Sequence, residues 1–268
     1  MGRALLDSEQ QIDFEKLQNE YLSGFDKVGL EELQEINLMD RVDRKFLFGI
    51  NHLESLLKEM QGSYQILTIG DESYSNLNSL YVDTRDCHFF KQHHNGKLNR
   101  HKVRFRSYQN TQLNYLETKF KTNKGRTQKN RVLRNYGNFE TFENNEAGFL
   151  NEHIPVKPET LSPKLWVSFT RLHFIHKEKF ERLTIDLNLT FEFKEKKESF
   201  PEAVIAELKQ SKYENDADFA KFMKKRQIRP TPFSKYCVGM CLLHGLKSNR
   251  FKRILLNLKK INQRHDDA

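Results

Sequence analysis

The stretch His101–Gln109, HKVRFRSYQ, alternates as a half-buried strand should, but the alternation is inverted. Lys102, Arg104 and Arg106 share one face, and Val103, Phe105 and Ser107 share the other. Several further segments repeat the pattern, and some add carboxylates. In Tyr115–Lys121 (YLETKFK), Tyr115, Glu117, Lys119 and Lys121 oppose Leu116, Thr118 and Phe120. In Arg182–Phe193 (RLTIDLNLTFEF), Arg182, Thr184, Asp186, Asn188, Thr190 and Glu192 oppose an unbroken apolar set. In Ala203–Ser211 (AVIAELKQS), Glu207 and Lys209 oppose Val204, Ala206 and Leu208. Asp43 and Lys45 share a face of Met39–Phe48, and Arg171 is flanked on its own side by Phe169 and His173.

A sheet with one wet face accounts for any one of these strands. Over all of them it requires acids and bases exposed in register while the other face packs under helices. The alternative is that the charged faces point inward, into a closed barrel whose apolar outside is covered by helices. Unpaired charges in a dry lumen cost several kcal/mol per ion, so such a lumen must hold water, metal ions and a charged ligand. Eight strands is about the size at which a lumen holds side chains or one ligand. A base-rich lining calls for an anion, and several Arg that can fork onto oxygens favour phosphate over a simple carboxylate. The acids then read as a divalent-metal site, because Mg²⁺ or Mn²⁺ bridges carboxylates to substrate phosphates.

The fold expected is therefore α+β: an eight-stranded antiparallel β tunnel with a charged lumen, decorated by helices. Helical patterns fall at about 12–38, at Asn51–Met60 with Asn51 as N-cap, within 138–160 with Phe139, Phe142, Phe149 and Leu150 as anchors, and over the C-terminal third. The basic segment Asn123–Asn135 reads as a mobile loop and Lys194–Glu202 as a charged connector. In Thr231–Tyr236 (TPFSKY), Thr231 reads as N-cap, Pro232 as N1, Ser234 as N3 and Lys235 as N4. A helix start carrying Ser and Lys is either an anion site or simply a capped helix with a solvated Lys.

The 268 residues carry 45 Lys+Arg against 36 Asp+Glu, a formal net charge of +9. That balance points to a polyanionic partner: nucleic acid, anionic membrane or phosphate-rich small molecules. The three cysteines, Cys87, Cys237 and Cys241, show no metal-ligand spacing, and the i, i+4 pair reads as core packing. No apolar leader core and no window of membrane-span length is found, so a cytoplasmic protein is expected. No linker divides the chain, and one domain is expected: residues 1–37 as a helical segment packed on the barrel, 38–245 as the tunnel domain, and 246–268 as a basic amphipathic tail. That tail fits either RNA, membrane or an acidic partner, or a solvated face with Phe251, Ile254, Leu255 and Leu258 packed inward.

The run SLYVDTRDCHFF (79–90), HKVRFRSY (101–108) and YLETKFK (115–121) resembles the triphosphate tunnel metalloenzyme superfamily, whose strands read Tyr-x-Asp-Thr, Arg-x-Arg and Glu-x-Lys. Within it, DRKFLF, SFTRLHF, VIAELKQSK and PFSKY resemble the catalytic domain of the vacuolar transporter chaperone (VTC) complex, the polyphosphate polymerase branch. The resemblance spans about 38–245 and implies transfer of the ATP γ-phosphoryl onto a growing polyphosphate chain with Mn²⁺ or Mg²⁺. By motif position Lys45, Arg104, Arg106, Lys119 and Arg171 would grip triphosphate, with Ser234 and Lys235 capping it. Lys102, Lys129, Arg131 and Lys209 are further phosphate-binding candidates. Glu207 is the first candidate metal ligand; Glu117 and Asp186 are candidates that could instead orient a neighbouring Arg or Lys. The superfamily's hydrolase branch opens with Glu-x-Glu-x-Lys, whereas this chain has Arg41-Val42-Asp43-Arg44-Lys45, which argues against a two-metal hydrolase. The family's yeast members also carry a phosphate-sensing SPX domain and a membrane segment without counterpart in this sequence. A triphosphatase, and a non-catalytic binder of polyphosphate or nucleic acid, are the competing readings; the partners expected are ATP and polyphosphate or triphosphate, with a membrane-protein partner left open.

Overall fold

The computed structural model describes residues 14–35, 42–134, 141–211 and 217–263. Among them are eleven strands: β1 (Asp26–Val28), β2 (Val42–Gly49), β3 (Tyr64–Leu67), β4 (Ser75–Thr84), β5 (Arg100–Tyr108), β6 (Leu113–Lys121), β7 (Thr127–Arg134), β8 (Leu161–His176), β9 (Glu181–Phe193), β10 (Lys196–Phe200) and β11 (Ala203–Gln210). The helices are α1 (Phe14–Lys16, running into a π-helical turn to Leu22), α2 (Leu30–Glu35), α3 (Leu53–Met60), α4 (His88–His94), α5 (Asn144–His153), α6 (Asp218–Lys225), α7 (Lys235–His244) and α8 (Lys252–Gln263).

Eight strands form one antiparallel path in the order β2-β11-β9-β8-β4-β5-β6-β7. β3 extends it beside β8, β1 adds in parallel to β3, and β10 folds back along β9. The path curls until Lys45 of β2 and Lys129 of β7, at its opposite ends, line one cavity. Those end strands share no ladder among the described residues, so in place of the expected closed barrel the strands form a curled open sheet.

The convex side carries two apolar clusters. One joins Phe46, Phe48, Leu172, Phe174, Leu183, Ile185, Val204, Ala206 and Leu208 to α3, α6 and the N-terminal Leu17 and Leu22. The other joins Leu80, Val103, Phe105 and Leu116 to Leu150 of α5. Arg134 at the end of β7 fixes α5 by pairing its Nη1 with Glu146 at 3.2 Å. The expectation that apolar faces turn outward beneath helices thus holds for these strands.

It fails for half of the concave side. Leu165, Val167, Phe169, Leu189 and Phe191 face inward and pack on Tyr236, Val238, Met240 and Leu243 of α7, with Ile254, Leu258 and Ile261 of α8 in the same cluster. Burying side chains of this size stabilises by about 1.5–3 kcal/mol each. α7 can lie that close because Gly239 presents no side chain: a Cβ there would come 2.6 Å from both Leu165 and Phe191. The chain reverses its inward parity on β9 through a bulge, where β8 advances from Ser168 to Thr170 as β9 steps from Thr190 to Leu187. Asn188 takes φ +52 there. Asp186 therefore faces the cavity while Leu189 and Phe191, not Thr190 and Glu192, continue the inward face. Strict alternation across 182–192 missed this.

Other expectations are corrected locally. The basic segment read as a loop is the edge strand β7, and the charged connector contains β10. The helical reading of 12–38 is interrupted by β1, whose ladder with β3 was not foreseen. Cys87, at φ 60, turns the chain after β4 into α4, a helix not expected from the sequence. A 3₁₀ turn (Ile50–His52) precedes α3, so Asn51 is not its cap. The N-cap of α7 is Ser234, not Thr231. The proposed anchor Phe139 lies outside the described residues, whereas Phe142 and Phe149 pack on the α5 cluster. No helix among the described residues is long and apolar enough to cross a membrane.

Candidate functional site

The concave half left free by α7 is a cavity bordered by Lys45, Lys102, Arg104, Arg106, Lys119, Lys129, Arg171 and Lys235, and by Glu117, Asp186 and Glu207. Eight cations against three carboxylates leave five positive charges in excess. The cavity holds about 140 Å³, roughly ten times the room one water molecule needs. It opens into a wider basin bordered by Arg100, Lys121 and Thr231, which shares Lys45, Lys102, Lys119 and Ser234 with it.

The strand register produces the cluster. Lys45 sits opposite Glu207, Arg171 opposite Asp186, Arg104 opposite Glu117 and Lys102 opposite Lys119. Directly opposed residues share a face, so one face of eight strands converges on one space. Ser234 and Lys235 arrive from the N-terminus of α7. Ser234 Oγ accepts from the Cys237 amide at 3.3 Å and from Lys102 Nζ at 2.9 Å. Lys45 Nζ donates to the Phe233 carbonyl at 3.2 Å.

Each carboxylate is engaged. Glu117 Oε2 accepts from Arg104 Nε at 2.8 Å and Nη2 at 2.6 Å, and its Oε1 pairs with Lys129 at 2.6 Å. Asp186 accepts from Arg171 through Nε at 2.5 Å and Nη2 at 2.8 Å, and from Lys235 Nζ. Glu207 is held by Lys209 at 2.9 Å and more loosely by Lys45 at 3.4 Å. Although burial opposes it, these cations keep all three carboxyls below the usual range. Asp186 meets Arg171 with both oxygens, and Glu117 receives two N–H groups of Arg104 on one oxygen, so each carboxylate holds its arginine.

Among the described residues three cavity cations have no carboxylate partner. Arg106 is 6% exposed and donates to Ser79 Oγ at 3.3 Å, with Tyr108 also beside it. Lys102 has only Ser234 Oγ. Lys119 has neither hydrogen bond nor ion pair among the described residues. Burial, then the neighbouring Lys45 and Lys102, push the Lys119 ammonium down to about 7 against the pull of Glu207. Burial lowers Lys102 as well, and burial with Arg104 alongside lowers Arg106. Lys235 falls to about 8 through burial and Arg171, despite Asp186. Uncompensated cations in a partly dry space are costly unless an anion joins them.

Sequence reasoning missed Tyr81. Burial would raise its phenol, yet Arg104, Arg106 and Lys102 pull it down to about 8. Its hydroxyl accepts from Arg104 Nη1 at 3.0 Å, and its ring stacks on Tyr236 at 5.0 Å. The signal was there, since Tyr81 opens the quoted Tyr-x-Asp-Thr run. Phe169 forms the wall beneath three cations, with Lys235 Nζ 4.4 Å and Arg171 5.0 Å from its ring centre and Arg106 at 6.0 Å. Two candidates stand aside from the cavity: Arg131 lies 4.6 Å over the Tyr115 ring, and Lys209 contributes through Glu207. The buried Asp83 of the same run accepts from the Phe89 and Phe90 amides and starts α4, a structural role.

Among the described residues no three His, Cys, Asp or Glu side chains gather as a preformed metal cage. The donor set fits a hard divalent ion held by one carboxylate with phosphate oxygens and water completing its shell. Glu207 is the carboxylate suited to that, because it faces the cavity and its Lys45 contact is loose.

Among solved structures, HpAC1 from Hippeastrum, described with a dominant triphosphatase activity, is 12% identical with TM-score 0.47 over 79% of this chain and 99% of its own. A candidate adenylate cyclase from Vibrio parahaemolyticus is 12% identical with TM-score 0.43, covering 73% of this chain and 95% of its own. The PH1819 protein from Pyrococcus horikoshii is 10% identical with TM-score 0.42, over 82% and 98%. No curated protein sequence matches the chain. The VTC domain model matches residues 40–244, from just before the β2 strand to the end of α7, and the chain belongs to the VTC domain family.

Proposed function

We propose that this protein is a polyphosphate polymerase-type phosphotransferase that moves the γ-phosphoryl of ATP onto a polyphosphate chain within the charged cavity. The observation that carries the reading is the trio Arg106, Lys102 and Lys119, cations gathered in one cavity without carboxylate partners. A phosphate chain supplies the missing charge in repeating units. Membership of the VTC domain family supports the same substrate class.

Phosphoryl transfer asks the protein mainly for in-line positioning and for cover of the equatorial oxygens. Arg104 and Arg171 spend their Nε/Nη2 edges on Glu117 and Asp186, which fixes the direction of each guanidinium and of its positive charge in the cavity wall. Arg106, Lys102 and Lys119 supply the charge that the chain neutralises, and Lys235 and Ser234 approach from the helix end. When bound, Mn²⁺ or Mg²⁺ supplies further neutralisation of the phosphate oxygens, and Glu207 would hold it. The curl of the sheet, read as a tunnel, gives the lengthening product a way out through the basin beside Arg100 and Lys121.

Product analysis tests the reading. Purified protein given ATP and Mn²⁺ is expected to yield a ladder of long chains that is lost at the same Mn²⁺ concentration in Glu207→Gln. Orthophosphate as the sole product would identify a tunnel triphosphatase instead.

A further inference from the structure

The helix α8 carries a second feature that the phosphate cavity does not use. From Leu246 to Gln263 the chain has six cations, Lys247, Arg250, Lys252, Arg253, Lys259 and Lys260, and no carboxylate. All six are exposed, and none forms an ion pair among the described residues. A helix built only to be wetted gains from Glu–Lys pairs one turn apart; α8 has none.

Its geometry is two-sided. Ile254, Leu258 and Ile261 are buried in the concave cluster and fix the helix to the domain. At about 100° per residue, Lys252, Arg253, Lys259 and Lys260 fall within an arc of roughly 120° on the opposite side. Leu256 lies near the middle of that arc and is 58% exposed. Lys252 and Arg253 precede it by four and three residues, and Lys259 and Lys260 follow by three and four. A leucine ringed by long-stemmed cations is the footprint of a helix that lies on a bilayer: the apolar side chain enters the headgroup boundary and the ammonium groups stay at the phosphates.

We infer that α8 docks this domain on an anionic lipid surface, with Lys252, Arg253, Lys259 and Lys260 on the headgroup phosphates and Leu256 inserted between them. Charge complementarity selects the lipid sign. Leu256 selects a bilayer over a soluble polyanion, which offers nothing apolar to meet it. The inference is independent of the reaction in the cavity.

The test is co-sedimentation of the full chain with phosphatidylcholine vesicles, with and without phosphatidylglycerol. Binding is expected only with the anionic lipid and is expected to fall with added salt. Lys252→Gln with Lys259→Gln should lower partitioning on the order of tenfold, since each cation near such a surface contributes severalfold. Leu256→Ser keeps every charge and should still weaken vesicle binding several-fold, while leaving affinity for free polyphosphate and ATP turnover unchanged. Circular dichroism of each variant confirms that the fold is kept. Absence of vesicle binding, or binding unaffected by both variants, overturns the inference. Loss of polyphosphate affinity in the Leu256 variant or the Lys pair, with vesicles ignored, would assign the helix to the soluble polymer instead.

Discussion

Arg104 and Arg106 stand two residues apart on the cavity face of β5, and only Arg104 is matched by a carboxylate. The pair divides two tasks between identical side chains. Arg104 is part of the wall, held by Glu117 and by the Tyr81 hydroxyl. Arg106 is a buried charge whose neighbours among the described residues, Ser79 first, are uncharged hydroxyls.

Their substitutions should separate accordingly. Arg106→Met replaces an uncompensated buried cation by an apolar chain of similar reach, so the melting temperature is expected to hold or rise. Triphosphate affinity should fall at least tenfold. Arg104→Ala leaves Glu117 with Lys129 alone and should cost about 1–3 kcal/mol of stability besides affinity. Thermal melts and titration calorimetry on the two proteins read both quantities.

The pH response has opposite signs for binding and for stability. Lys119 in the folded chain titrates near 7 and Tyr81 near 8, both below their ordinary values. As pH rises through that range the cavity loses positive charge, so triphosphate binding should weaken. The unfolded chain keeps those protons to higher pH and thus binds more of them, so stability of the ligand-free protein from these groups rises over the same window. Lys235, pushed down to about 8, loses charge over the same range, so Tyr81→Phe should remove only part of the change in the binding profile near pH 8 while leaving the Lys119 limb. A ligand affinity that stays constant from below 7 to above 8 would contradict the assignment.

The three carboxylates are expected to fail differently. Glu207→Gln should raise the divalent-metal concentration needed for turnover, in a metal titration at saturating ATP. Asp186→Asn frees Arg171 and Lys235 from their shared anchor, and it should lower turnover at every metal concentration. Glu117→Gln should do the same through Arg104. Equal metal shifts in all three would return Glu117 and Asp186 to the metal.

Gly239 ties the cavity to its apolar floor. Gly239→Val must push α7 off Leu165 and Phe191, costing about 1–3 kcal/mol. Because Ser234 and Lys235 ride on the start of that helix, triphosphate affinity should fall with it. Chemical denaturation and the same titration measure both.

The convergence of charges was legible because strand parity is a rigid rule. Once Lys102, Arg104 and Arg106 share a face, no side-chain detail can separate them, and the same holds for Glu117 with Lys119. What parity cannot register is an inserted residue. The bulge at Asn188 costs nothing in composition, yet it exchanges Thr190 and Glu192 for Leu189 and Phe191 on the inner face. β7 escaped notice because an edge strand with one exposed side needs no apolar alternation, and TQKNRVLR shows little of it. The covering of the inner wall by α7 depends on a close approach at Gly239, between residues more than forty positions apart in sequence. Ion-pair partners were legible only as shared faces; that Glu117 and Asp186 hold arginines follows from distances.

The most direct measurement is a crystal structure of the protein with tripolyphosphate and Mn²⁺. The account predicts phosphate oxygens on Arg106, Lys102 and Lys119 inside the curl of the sheet, with Arg104 and Arg171 still on their carboxylates. Triphosphate found only on the outer surface, with Arg106 untouched, would contradict it.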